Sequence, residues 1–126
     1  MNIETIYEFC VALPDVKEEF PFGEDILVFK IHGKIFFLCF LEGIPLRINL
    51  KCQPDLALEL RDLYPNKVVE GYYMNKKHWN TVFVEDLPTD LVKKMIIHSY
   101  EEVLSKLPLK IRKTILYEFQ KPFEIL

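Results

Sequence analysis

Apolar positions recur along this chain with two different periods. Ile3, Ile6, Tyr7, Cys10 and Leu13 fall on one helical face, with Glu4 and Glu8 opposite, and Asn2 is placed to cap that helix. The spacing predicts a first helix ending near Ala12, before Leu13-Pro14. Strand-type runs follow at Ile26–Ile31, Ile35–Leu41 and Ile44–Lys51, separated by His32-Gly33-Lys34 and Glu42-Gly43. A second helical pattern opens at Gln53-Pro54-Asp55 and stops at Tyr64-Pro65-Asn66. Two further strand-type runs, Lys67–Gly71 and Trp79–Glu85, flank a long loop. A long helix then starts near Asp86–Thr89 and runs to about Lys106, where Leu107-Pro108 interrupts it. The order reads α-β-β-β-α-β-β-α, with room for a short edge segment near Phe20-Pro21.

Register follows from keeping charge out of the core. In the third run Leu46, Ile48 and Leu50 alternate with Arg47, Asn49 and Lys51. A two-residue turn at Glu42-Gly43 sets Ile35, Phe37 and Cys39 beside that apolar set. A three-residue turn at His32-Gly33-Lys34 then brings Leu27, Phe29 and Ile31 to the same face, whereas a two-residue turn brings Lys30 and His32. The three-residue turn is the expectation. The opposite face then carries Val28, Lys30, Phe36, Leu38, Phe40, Arg47, Asn49 and Lys51, either covered by another element or open as a platform.

The chain has 126 residues, half of them apolar, which fits one α+β domain with an antiparallel sheet backed by helices. We assign residues 1–107 to the domain and 108–126 to a C-terminal extension, either helical around Ile111, Ile115, Leu116 and Phe119 or a docked tail ending in the apolar stretch Pro122–Leu126. No apolar run reaches the length of a membrane span, and the start is acidic rather than basic, so a cytoplasmic protein without membrane contact is expected.

Charge is uneven. Residues 1–25 hold seven acids against one lysine, while residues 26–52 hold four cations against one acid and residues 66–81 three against one. Cys10, Cys39 and Cys52 lie inside periodic segments and read as buried thiols, and the three histidines are remote from one another, so no metal or cofactor is expected. There is no glycine-rich phosphate loop, GxSxG or HExxH, and Glu18-Glu19 and Glu101-Glu102 read as solvated pairs. The expectation is a protein that is not an enzyme.

The loop between the last two strands stands apart: Gly71-Tyr72-Tyr73-Met74-Asn75-Lys76-Lys77-His78-Trp79-Asn80-Thr81-Val82. Large rings and adjacent cations are costly to order in a loop, and paired lysines gain from an anion. Its tyrosines and Trp79 either stack on bases or anchor the loop to the core. This phrase resembles the MmcQ/YjbR family, as do Pro21–Asp25, Val28-Phe29-Lys30 with Gly33–Phe36, Leu50-Lys51-Cys52 and Ser99-Tyr100. The resemblance covers residues 2–107 and implies a small CyaY/YjbR-like α+β domain, labelled DNA-binding through a double wing of hairpins, with no established catalysis. By position it falls on Lys34, Lys51, Asn75, Lys76, His78, Trp79 and Asn80. Lys77 stands where the family often has arginine. The expected function is DNA backbone binding, with Lys30, Lys34, Arg47 and Lys51 on one wing and Lys76, Lys77 and His78 on the other. Rival readings are a protein-interaction or homodimerisation domain using Phe36/Leu38/Phe40 or the tail, and a small-anion pocket near Lys51, Lys76 and Trp79.

Overall fold

A computed structural model describes residues 1–120. The first helix, α1 (Ile3–Val11), starts where Asn2 predicts it. The Asn2 side chain accepts from Thr5 N at 2.9 Å, and Thr5 Oγ1 accepts from Asn2 N at 3.2 Å, so the two residues satisfy each other's free amides. Six strands follow: β1 (Val16–Glu19), β2 (Ile26–Ile31), β3 (Lys34–Phe40), β4 (Arg47–Lys51), β5 (Val68–Glu70) and β6 (Trp79–Phe83). The helix α2 (Pro54–Leu63) separates β4 from β5, and α3 (Thr89–Ser105) follows β6. The strands form one antiparallel sheet in the order β1-β2-β3-β4-β6-β5. The edge segment expected near residue 20 is β1, ending before Pro21. The chain is therefore an α+β domain of the expected class.

The three-residue turn is corrected to a two-residue one: Ile31 pairs with Lys34, and His32 (φ 45°) and Gly33 (φ 80°) both adopt the left-handed backbone of a tight hairpin. The faces nonetheless keep the predicted parity near the middle of the sheet. Phe29 pairs with Phe37 but Lys30 pairs with Ile35, so Phe36 is an extra residue in β3. That bulge turns Phe36 into the core, where its ring meets Tyr100 edge-on at 5.4 Å. Phe36 thus leaves the opposite face to which alternation assigned it. The next connection is also longer than the two residues expected. It contains a cis Ile44–Pro45 bond, and Cys39 pairs with Ile48 rather than Leu46. A shift of two residues preserves the face of every side chain.

Leu27, Phe29, Phe37, Cys39, Ile48, Leu50 and Val82 form the buried sheet face, and Val92, Ile96, Tyr100 and Val103 of α3 pack on it. Ser99 is the polar rivet of this interface: its hydroxyl accepts from Lys51 N at 2.8 Å and donates to Phe36 O. All three thiols are buried and unpaired. Burial pushes Cys39 and Cys52 up to about 12, so neither is a thiolate near neutrality.

Among the described residues beyond α3 one helical turn forms, α4 (Leu109–Arg112), shorter than the helical alternative running to Phe119. The chain then runs back across α3. Ile115 is buried, the Tyr117 ring lies 5.0 Å from Tyr100, and Tyr117 Oη donates to Glu101 Oε2 at 2.9 Å. Gln120 N donates to the same oxygen at 2.7 Å. The expected apolar end at Pro122–Leu126 lies outside the described residues. Among the described residues no helix is long and apolar enough to cross a membrane.

Candidate nucleic-acid interface

The loop 71–78 folds back onto the β4–β6 part of the sheet face away from the helices. Asn49 of β4 and Thr81 of β6 are partners in the ladder, both with no exposure, and each on its own is an expensive group to bury. The loop satisfies them. Thr81 Oγ1 donates to Asn49 Oδ1 at 2.6 Å and accepts from Tyr72 N at 2.9 Å, while Asn49 Nδ2 donates to Tyr72 O at 2.8 Å. This closed three-residue network staples the loop flat onto the sheet. Val28 and Leu38, on the same face, are also shut from solvent. The Phe36/Leu38/Phe40 surface suggested for dimerisation therefore does not exist as drawn, since only Phe40 retains partial exposure.

A second anchor comes from α2. Arg61 donates to Asn80 Oδ1 at 2.7 Å, to Trp79 O at 3.2 Å and, closer still, to Lys76 O. Gly71 N also donates to Trp79 O, at 3.0 Å, closing the base of the loop. Within the loop Asn75 Oδ1 accepts from Lys77 N at 2.9 Å, and His78 O accepts from Cys52 N at 2.8 Å. These bonds assign roles to three residues expected at the interface. Asn75 shapes the turn, and Trp79 and Asn80, 8% and 2% exposed, are buried in the hairpin base. The Asn80 side chain and the Trp79 carbonyl hold the loop closed, and the burial of both residues favours the anchoring alternative over direct ligand contact.

The remaining candidates divide by position. Lys34 opens β3 and Lys51 closes β4, so antiparallel pairing sets both at one end of the sheet. Lys106, just past α3, approaches the same end. The Lys51 ammonium is held below the ordinary lysine value by partial burial first and by Lys106 next, with Lys34 adding to the effect and Glu102 opposing it. His78 reaches this end too, since its carbonyl is bonded to Cys52, next to Lys51. Lys76 and Lys77 are exposed on the loop above; Lys76 makes an open ion pair with Glu70 at 3.3 Å. Lys30 and Arg47 are elsewhere. Lys30 is 3.2 Å from Glu19 on the β1 side, and Arg47 starts β4 at the far end, between the rings of Phe40 and Tyr72, 5.6 Å from each. The first wing is therefore not one patch. Lys106 and Arg61 escaped the sequence reading: Lys106 looks like an ordinary helix-end cation, and Arg61 is one of several charges on an amphipathic helix.

Beside Lys51 there is a cavity of about 10 Å³ between β4, β6, α2 and α3, reaching Asn80 and His98. It has room for roughly one water molecule, so no ready-made pocket for a small anion lies there. Among the described residues no group of three or more potential metal ligands gathers.

Known proteins resemble this chain in sequence and in fold. The YbdF protein of Escherichia coli O157:H7 is 39% identical over 114 residues, covering 89% of this chain and 92% of that protein. The YjbR protein of Escherichia coli K12 is 26% identical over 117 residues, covering 91% of this chain and 98% of that one. Both are described as uncharacterized. The crystal structure of the Deinococcus radiodurans protein DR2400, a DUF419 domain, superposes with a TM-score of 0.86 at 33% identity, covering 90% of this chain and 86% of that one. A Pseudomonas syringae protein superposes with a TM-score of 0.70 at 25% identity, covering 82% and 99%. The YjbR family profile matches residues 11–102, from the end of α1 to the last turn of α3, and so takes in the sheet, the stapled loop and the riveting serine; the chain belongs to the YjbR family.

Proposed function

We propose that this protein is a non-enzymatic module that binds the phosphate backbone of DNA at the cationic end of its sheet. One observation carries the reading: Lys34 at the start of β3, Lys51 at the end of β4 and Lys106 just past α3 gather at one end of the sheet, with Glu102, 3.8 Å from Lys106, as the carboxylate among them; burial first and then the neighbouring charges lower the Lys51 pKa. Like charges brought together raise the free energy of the unbound domain, and a polyanion relieves that cost. The loop extends the patch with Lys77 and His78, and Lys76 exchanges its exposed partner Glu70 for phosphate at little cost. Lysines supply point charges without the fork of arginine, so contacts of this kind position DNA and read little sequence.

The test is fluorescence anisotropy with a labelled random-sequence duplex at low salt. The expected result is micromolar binding that weakens steeply with salt, and a Lys34→Glu/Lys106→Glu variant that loses at least ~10-fold with a salt slope shallower by about 2. Absence of binding at roughly 50 µM protein in ~50 mM salt, where nonspecific affinities of this class are measurable, overturns the proposal.

A further inference from the structure

The far end of the stapled loop carries a second feature that backbone binding leaves unused. Arg47 is sandwiched between Phe40 and Tyr72, its guanidinium carbon 5.6 Å from each ring centroid. Its Nε is shut from solvent without a hydrogen-bond partner among the described residues. The two terminal nitrogens make no hydrogen bond among the described residues, and one of them lies beside Gly43 in the turn after β3. No carboxylate lies within ion-pair distance among the described residues, whereas Lys30 and Lys76 both have one. An arginine that needed only charge would be paired or wet along its length. This one is held by rings with its terminal donor pair left unspent.

Tyr73 sits beside it. Its ring lies 6.1 Å from Phe40, and the residue is 95% exposed. Its backbone is left-handed (φ 61°), a conformation that a tyrosine adopts at a cost and that a glycine or asparagine would adopt readily. The loop is stapled through Tyr72 immediately before it, so the strained residue is fixed in place. A large ring is thus displayed at a position that favours a small residue.

We propose that Phe40, Arg47, Tyr72 and Tyr73 form a stacking platform for single-stranded nucleic acid, with a base on the open face of Tyr73 and a phosphate on the terminal nitrogens of Arg47. A flat ring next to a guanidinium with an unspent donor pair fits a nucleotide unit, which pairs a π-face with an anion. Arg47 and Lys51 mark the two ends of β4, so the platform and the lysine patch are separated by about 13 Å along the strand. A strand of nucleic acid spans that distance, while a mononucleotide does not. This inference rests on the backbone-binding reading and adds base contact to it.

The experiment compares a short labelled oligo-dT strand with an abasic strand of equal length, using the full chain. The expected result is oligo-dT binding about 10-fold tighter than the abasic strand. Tyr73→Ala removes that ratio and Tyr73→Trp keeps it. Because Tyr73 is almost wholly exposed, its replacement leaves the core untouched. Arg47→Lys keeps the charge but loses the stacked fork, and is expected to weaken oligo-dT several-fold. Lys34→Glu weakens both strands alike and leaves the ratio unchanged. Equal binding of the two strands by the unaltered protein overturns the platform while leaving backbone binding intact, and a Tyr73→Ala ratio equal to wild type does the same. Absence of binding to both strands overturns the platform, and the duplex measurement decides backbone binding separately. Competition by dTMP as effective, per nucleotide, as the strand itself overturns the strand assignment in favour of a mononucleotide.

Discussion

Gly71 has no room for a side chain. A Cβ there would lie 2.7 Å from Trp79 Cβ and 2.9 Å from Trp79 O, and the latter is backbone that also holds the loop closed. Gly71→Ala is expected to cost about 1–3 kcal/mol, because it forces apart the two strands that launch the loop; the urea midpoint measures it, and an unchanged midpoint would mean the hairpin base is loose. Arg61 is the other residue on which the loop depends. Its partners are one buried side chain and two backbone carbonyls, 15 to 19 residues away in sequence. Arg61→Ala strands the Asn80 amide in a 2% exposed site, so a loss of about 2–3 kcal/mol is expected, with Arg61→Lys intermediate because it lacks the fork. The loop phrase itself was plain in the sequence, since one tryptophan and two lysines in a hairpin loop are conspicuous. Anchoring was one of its two readings, but the partner that closes it was not legible. Backbone carbonyls leave no trace in residue types, so nothing in the sequence connects Arg61 to Trp79.

At the scale of elements, alternation was readable and length was not. The apolar parity of β2, β3 and β4 places Leu27, Phe29, Phe37, Cys39, Ile48 and Leu50 together, as the structure has them. What the pattern hides is the bulge. A ladder that skips Phe36 and a hairpin turn shorter by one residue compensate each other, so the same core follows from two different registers. A strictly alternating strand has no way to announce an extra residue when that residue is itself apolar. Packing between helices makes a checkable statement about pH. His98 of α3 accepts a hydrogen bond from Gln53 N at 3.1 Å, at the residue that caps α2. Accepting requires a neutral ring nitrogen. Burial holds the His98 pKa below its ordinary 6.5, with Glu102 and Glu101 opposing. The unfolded chain therefore binds the proton first. Stability contributed by neutral His98 is complete above the unfolded value of about 6.5 and is lost as pH falls below it, until the folded value is reached. Urea midpoints between pH 5 and 7.5 are expected to fall toward acid, and His98→Gln is expected to flatten that part of the profile. A slope unaltered in the variant would place the titrating group elsewhere.

For the whole molecule, the division at residue 107 raises the question of what the last segment does. The family profile ends at residue 102, and the apolar spacing of Ile111, Ile115, Leu116 and Phe119 left a helix and a docked tail both open. Yet Tyr100, with no exposed surface, is covered on one side by Phe36 and on the other by Tyr117. Its hydroxyl donates to Pro14 O at 2.7 Å, so the same side chain joins α3 to the start of β1. Glu101 grips the returning chain through Tyr117 Oη and Gln120 N. A packed aromatic pair and a buried Ile115 are worth about 1.5–3 kcal/mol for each side chain removed from water, less what ordering the segment costs. The segment therefore acts as a strap that completes the core. A chain ending after Leu107 is expected to lose about 2–4 kcal/mol in urea unfolding and to bind a dye for exposed apolar surface in buffer. Glu101→Ala in the full chain releases only the polar grip, so a smaller loss of about 1–2 kcal/mol is expected from it. The ordering decides the matter. If the shortened chain unfolds at the same midpoint as the full one, the strap contributes nothing and Tyr100 is held by α3 and the sheet alone; if Glu101→Ala costs as much as the whole truncation, the carboxylate rather than the apolar contact carries the attachment.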